Sequence, residues 1–281
     1  PRPGQGPKHG WAAYEHQMYE RSSALALRAL RQYVPEDLAK YGYNGRFVDV
    51  SMAMSLHEDY HRDHTLSRRE DMAHRREAFA YLDGLGLVLG TEHGNDWGAD
   101  LVAYREGSMS GPFWWTGSGT WNAGMLTRPT SRDDYTPEYL KFGHGYDTRI
   151  PLWELVYHDC QGSTWYWGDS PGFHYAVAPE IAERKDLFNL LYGTVPLLWR
   201  DTTDYDWNVN RDRFVRTYHM STHFNRAVAF SRMTDHAFLT DDASVQRTTF
   251  DSGHTVVVNF GEQVFPWRTS DGAEIALPPQ G

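Results

Sequence analysis

Apolar side chains recur at Met18, Leu25, Leu27 and Leu30 with charges between them. That spacing predicts a helix over residues 14–34, stopping before Pro35. The run Arg46-Phe47-Val48-Asp49-Val50 lacks helical spacing and predicts a buried parallel strand. Ser67-Arg68-Arg69-Glu70 is a capping box opening a helix to about residue 85, with Met72, Phe79 and Leu82 as its apolar stripe. Residues 85–90 predict the next strand, closing at Thr91-Glu92. Residues 94–147 are rich in Gly and Trp, and a stretch that long is usually functional or locally structured. The apolar run 150–157 predicts a third strand ending at His158-Asp159. A helix over 178–192, a strand over 195–199 and a helix over 211–226 follow. Beyond Arg232 the texture shortens to strands at 244–250 and 254–260, joined by Asp251-Ser252-Gly253 as a hairpin.

Buried strands alternating with helices imply an α/β fold with a parallel sheet. A (β/α)8 TIM-type barrel is favoured over a doubly wound sheet. Three successive predicted strands end in acids, Asp49, Glu92 and Asp159, and barrel strands converge at one mouth. Only about four barrel strands are legible. Residues 1–235 are therefore expected to form a barrel lacking its first strands, and 236–281 a small antiparallel β domain. The missing N-terminal part of the same protein is then an expected partner.

The formal net charge is −10 with no basic stripe, which argues against a nucleic-acid partner. No apolar run reaches the roughly 20 residues of a membrane span. Cys160 is the single cysteine, so no internal disulfide can form. Aromatic residues make up 15% of the chain, and Trp and Tyr faces suit stacking on sugar rings as well as core packing.

Two carboxyl groups flanking a glycosidic bond are the chemistry of glycoside hydrolysis, about 5–5.5 Å apart in retaining enzymes. Adjacent strands lie about 4.8 Å apart, so Asp49 and Glu92 on neighbouring strand ends can reach that separation. An acid after a strand can equally be a helix cap or turn residue. His57-Glu58-Asp59-Tyr60-His61 reads literally as the zinc motif H-E-x-x-H, an alternative that would make the protein a metallohydrolase. Its polar surroundings place it in a loop, where Glu58 and His64 would instead contact substrate; no metal or other cofactor is expected. Asn95, Asp96 and Trp97 can bind sugar hydroxyls and form a stacking wall, or simply make a turn. Trp115 and Trp165 belong to aromatic clusters on the same predicted face. A non-catalytic carbohydrate-binding barrel fragment is the remaining reading.

The ordered series Phe47-Val48-Asp49-Val50, Leu56-His57-Glu58-Asp59-Tyr60, Ser67-Arg68-Arg69-Glu70-Asp71, Gly86-Leu87-Val88-Leu89-Gly90-Thr91-Glu92 and Leu155-Val156-Tyr157-His158-Asp159 resembles the catalytic barrel of glycoside hydrolase family 129. The likeness spans roughly residues 40–262 and extends to the related family 101. It implies a retaining enzyme acting on an α-linked sugar such as α-N-acetylgalactosamine. It also implies Asp49 as nucleophile, Glu92 as acid/base, and Asp159 with His158 around the substrate.

Overall fold

The computed structural model describes residues 6, 9–13, 16–110, 121–122, 125–126, 129–166, 169–197 and 207–281. The chain forms two compact units, Pro1–Tyr104 and Arg105–Gly281.

In the first unit, β1 (His9–Ala13) and β2 (His16–Tyr19) pair antiparallel. The expected helix over 14–34 is thus displaced. Helix α1 spans Ala26–Tyr41 and runs straight through Pro35. A proline inside a helix costs about 3 kcal/mol through its missing N–H and its ring. Packing offsets that cost: Val34 is buried, and Leu30 and Leu38 press on the same cluster from adjacent turns. The helix stops at Gly42, whose left-handed backbone (φ 62°) lets its N–H reach the Leu38 carbonyl at 2.9 Å.

Helix α2 (Arg68–Asp83) starts where the capping box predicts. Ser67 Oγ accepts from the Glu70 N–H at 3.4 Å, while Glu70 Oε2 accepts from the Ser67 N–H at 2.7 Å. Strands β3 (Gly45–Val48) and β4 (Val88–Glu92) pair in parallel, with Phe47 opposite Gly90 and Val48 opposite Thr91. Both helices close one face of this pair over Val34, Met52, Phe79, Leu82, Leu87, Leu89 and Val102. Each such buried side chain contributes about 1.5–3 kcal/mol relative to exposure.

Strand β5 (Tyr104–Glu106) leads into the region expected to be a long excursion, which is locally structured. It carries β6 (Trp121–Asn122), β7 (Met125–Leu126), a tight helical turn at Arg132–Asp134 and a π-helical turn at Tyr139–Gly143. The expected third strand is instead helix α3 (Leu152–Tyr157). An apolar run of eight residues fits a short helix as well as a strand. The preceding Pro151 suits a helix start, and the Leu155 N–H bonds back to its carbonyl at 2.8 Å. Asp159 therefore follows a helix rather than a strand.

Short elements β8 (Gly162–Ser163) and α4 (Pro171–His174) precede α5 (Pro179–Tyr192) and α6 (Trp207–Val228), both helices the pattern predicts. Residues 195–197 of the expected fourth strand carry no strand, and its remainder lies outside the described residues. The tail forms the antiparallel strands the pattern predicts. Strands β9 (Met233–Phe238), β10 (Val245–Phe250) and β11 (Thr255–Asn259) form an antiparallel sheet in the order β11-β10-β9, and β12 (Phe265–Arg268) pairs with β13 (Glu274–Leu277). Val258 and Phe260 pack against Leu187, Phe188 and Leu191 of α5, so this sheet shares a core with a helix.

Candidate active site

The register of β3 and β4 builds the site. Val48 stands opposite Thr91, so the next position on each strand, Asp49 and Glu92, comes level at the carboxyl ends of the pair. Alternation puts Phe47 and Asp49 on the face that Gly90 and Glu92 share, away from the helices. The two carboxyls act on one another: Asp49 is held above the ordinary aspartate range, first by partial burial, then by the charge of the neighbouring Glu92 and hydrogen bonding with it; the Val50 N–H pulls the other way.

The chain turns sharply after each acid. Val50 and His93 both adopt positive φ, 63° and 49°. For a β-branched residue such as Val50 this is a true outlier. The Ser51 N–H returns to the Asp49 carbonyl at 2.7 Å, closing a three-residue turn with Val50 at its centre. The positive-φ form of that turn is rare and strained, costing on the order of 1–3 kcal/mol. The same bend aims the Val50 N–H at Glu92 Oε2, 3.2 Å away.

The loop beyond Val50 is anchored from several sides. Met52 is fully buried beneath it and packs against Gly98. Asn95 Nδ2 donates to the Met52 carbonyl at 2.5 Å. Arg75 of α2 donates to the carbonyls of Ser51 (2.7 Å), Met54 (3.3 Å) and Ser55 (3.2 Å). Asp71, one turn earlier, pairs with Arg75 at 2.8 Å and accepts the His57 N–H at 2.9 Å.

The H-E-x-x-H stretch lies in the loop between β3 and α2, closed by a bridge between Asp59 and Leu66. His57 and His61 are therefore not set one helical turn apart. His57 Nε2 lies 3.3 Å from Glu20, and His61 stacks on His64 at 4.3 Å. His64 meets the buried Asp59 at 2.7 Å, while Glu58 accepts from the Tyr60 hydroxyl at 2.9 Å. Among the described residues no group of three or more His, Cys, Asp or Glu is arranged to hold a metal.

The other expected ligand residues have structural partners. Asn95 holds the loop, as above. Asp96 accepts the Trp97 N–H at 2.9 Å, and Trp97 packs against the first unit's core rather than standing free as a wall. In the second unit His158 is buried, with Nδ1 2.8 Å from the Ser231 carbonyl and Nε2 3.1 Å from that of Gly193. Asp159 accepts from Cys160 Sγ at 3.4 Å. Trp165 is fully buried, with Lys185 Nζ 3.5 Å above its ring. Trp115, and with it Phe113, Trp114 and Trp167, lies outside the described residues.

Sequence reasoning missed Arg75, Asp71 and the Val50 turn. The helix did carry a signal: Asp71, Arg75, Ala78 and Leu82 recur at i, i+4, i+7 and i+11, so two charges occupy the stripe that otherwise faces the core. A cavity of about 1390 Å³ lies on the helix side of β3, lined by Leu30, Val34, Val48, Val50 and Phe79. Neither Asp49, which is exposed, nor the half-buried Glu92 lines it.

Residues 10–138 match the family model described as glycosyl hydrolases related to family 101, family 129. Comparison with curated proteins gives no match. Among solved structures, the chain is similar to ligand-free α-N-acetylgalactosaminidase NagBb from Bifidobacterium bifidum, with TM-score 0.64, 22% identity, and coverage of 92% of this chain and 36% of that one. The GalNAc complex of the same enzyme gives TM-score 0.65 at 24% identity over 91% of this chain and 36% of that one. The Gal-NHAc-DNJ complex gives TM-score 0.64 at 20% identity, covering 98% of this chain and 38% of that one. The chain thus spans little more than a third of the length of these proteins and shares their fold over that span. The family match falls on residues 10–138 and so overlaps the resemblance read from the sequence over residues 40–138.

Proposed function

We propose that this chain is the catalytic part of a retaining glycosidase acting on α-linked sugars, α-N-acetylgalactosaminides foremost, within a (β/α)8 barrel that the rest of the protein completes. One observation carries the reading: the parallel register sets Asp49 level with Glu92 at two adjacent strand ends, where the charge of Glu92 acts on the Asp49 carboxyl. Inverting enzymes keep their carboxyls about 6.5–9.5 Å apart to admit a water, so acids level on adjacent strands, about 4.8 Å apart, favour retention. The family pattern and the similarity to an α-N-acetylgalactosaminidase support the sugar class. The exposed sheet face carrying Phe47, Val88 and Tyr104 beside the acids supports the barrel, since such a face would become its inner wall.

In this reading the pair begins the reaction holding one proton between two carboxyls, one anion and one acid. The glycosidic oxygen draws that proton through Glu92. Asp49 attacks the anomeric carbon as the carbon–oxygen bond breaks, and the leaving group departs as an alcohol. Glu92, now a carboxylate, takes a proton from water, whose oxygen displaces Asp49 and releases the sugar with its configuration retained.

Hydrolysis of a panel of aryl α- and β-glycosides by the chain and by its Asp49→Asn variant tests this. Turnover of the α-N-acetylgalactosaminide, lost in Asp49→Asn, is the expected result. Sugar binding without turnover would make the chain a binding module, and turnover of β-anomers alone would remove the assignment.

A further inference from the structure

We propose that Arg75, braced by Asp71, is the positioning residue of the Asp49–Glu92 pair: it grips the turn after Asp49 by its carbonyls and so sets where that carboxylate stands. The consequence for turnover rests on the glycosidase reading; the geometry does not.

The guanidinium reaches three consecutive-turn carbonyls, Ser51, Met54 and Ser55, while its Nη2 stays 2.8 Å from Asp71. Asp71 in turn fixes the far end of the loop through the His57 N–H at 2.9 Å. Both side chains are nearly out of solvent, 11% exposed for Arg75 and 3% for Asp71. An exposed ion pair contributes little, but a buried fork that satisfies several acceptors at once defines one geometry. Arginine suits the task because its planar fork carries five fixed donors; lysine offers a point charge with three.

What the fork holds is a turn that would not stay closed by itself. Residues 50–57 form neither helix nor strand, and Val50 at their start is in the left-handed region. Released, Val50 falls back toward the extended or right-handed backbone that valine prefers. Its N–H then swings away from Glu92 Oε2, and Asp49, its chain neighbour, moves with it. Arg75 contacts neither acid, so its effect passes through the backbone. Arg76, the next residue on α2, is a built-in control: it pairs with Asp100 at 2.7 Å and grips the Trp97 carbonyl instead.

The test uses the full chain with Arg75→Ala, Arg75→Lys, Asp71→Asn and Arg76→Ala, each checked for native secondary structure by circular dichroism. Arg75→Ala is expected to lower kcat about 100-fold with KM within about threefold, the signature of a misplaced reacting group. Millimolar guanidinium chloride should restore part of kcat, and Arg75→Lys should fall between. A readout independent of turnover is the titration of Asp49, followed by carbon-13 NMR of chain labelled at aspartate carboxyls. It should move toward the ordinary aspartate range in Arg75→Ala and stay put in Arg76→Ala. If Arg75→Ala fails to fold, Arg75→Lys and Asp71→Asn carry the same two readouts. An unmoved Asp49 titration in the folded variants overturns the proposal. If instead that titration moves while Asp49→Asn keeps full turnover, the clasp stands and the glycosidase assignment of Asp49 falls.

Discussion

The backbone N–H of Val50 donates to Oε2 of Glu92 at 3.2 Å, across the ends of β3 and β4. The bond links the residue after one acid to the side chain of the other. It fixes the orientation of Glu92, while the same N–H also acts on the Asp49 carboxyl. A carboxylate accepting a backbone N–H is steered by a group that neither titrates nor rotates freely.

Asp49→Asn should abolish turnover, because an amide oxygen cannot form and release a stable glycosyl ester. Glu92→Ala should spare aryl glycosides whose leaving groups depart without protonation, and azide should speed that variant and give a glycosyl azide of retained configuration. Product analysis by proton NMR decides it. Since Asp49 is held above the ordinary aspartate range, the acidic limb of kcat/KM should also lie above pH 3.8. A limb at or below that value would separate Asp49 from the rate.

Stability should fall as pH rises from the acid range towards neutrality because of Glu154. This residue is fully buried on α3, and burial pushes its carboxyl up to about 7, against the opposing pull of Arg149 and Arg105. The folded chain therefore binds this proton more tightly than the unfolded chain. The resulting stability is fully present below the unfolded value of about 4.3 and is lost as pH rises through about 7. Between those limits the loss is on the order of 3 kcal/mol. Glu154→Gln should flatten urea midpoints over that window, and an unchanged slope in the variant would refute the linkage.

Gly90 should not tolerate a side chain. It lies on β4 beneath the Tyr104 ring, and a Cβ built there would fall within the ring itself. Gly90→Ala is expected to cost about 1–3 kcal/mol from overpacking. Adding Tyr104→Ala should recover part of the loss, since the obstructing ring is gone. Equal stability of Gly90→Ala and the parent in chemical denaturation would contradict the contact.

Val50→Gly should behave unlike an ordinary valine truncation. Glycine adopts φ 63° without the steric cost valine bears, which offsets part of the lost packing. Its denaturation midpoint should stay within about 1 kcal/mol of the parent. A loss of several kcal/mol would show that the turn is not strained.

The strand pair and its acids were legible because their signals are local. Gly45–Val48 and Val88–Glu92 are short β-rich runs, and Ser67 with Glu70 announces the start of α2 within four residues. Residues 150–157 misled because an apolar run of that length has no decisive period; its helical form is settled by what it packs against. Pro35 misled because local cost lost to the burial of Val34. Asn95 and Trp97 look like ligand residues in sequence, yet their partners, the Met52 carbonyl and the first unit's core, are distant along the chain. Arg75 was hidden for the same reason: its acceptors lie 20–24 residues away and are backbone atoms, which no residue pattern displays.

Because Asp49 and Glu92 each stand one step past the last paired rung, their spacing is quantised by the ladder. A substitution elsewhere in β3 or β4 can shift it only by fractions of an ångström. Deleting or inserting one residue slides a strand by about 3.3 Å and turns its acid toward the helices. In directed evolution of this stretch, point changes should therefore grade activity smoothly, whereas single-codon indels between Gly45 and Asp49, or between Val88 and Glu92, should act as all-or-none lesions.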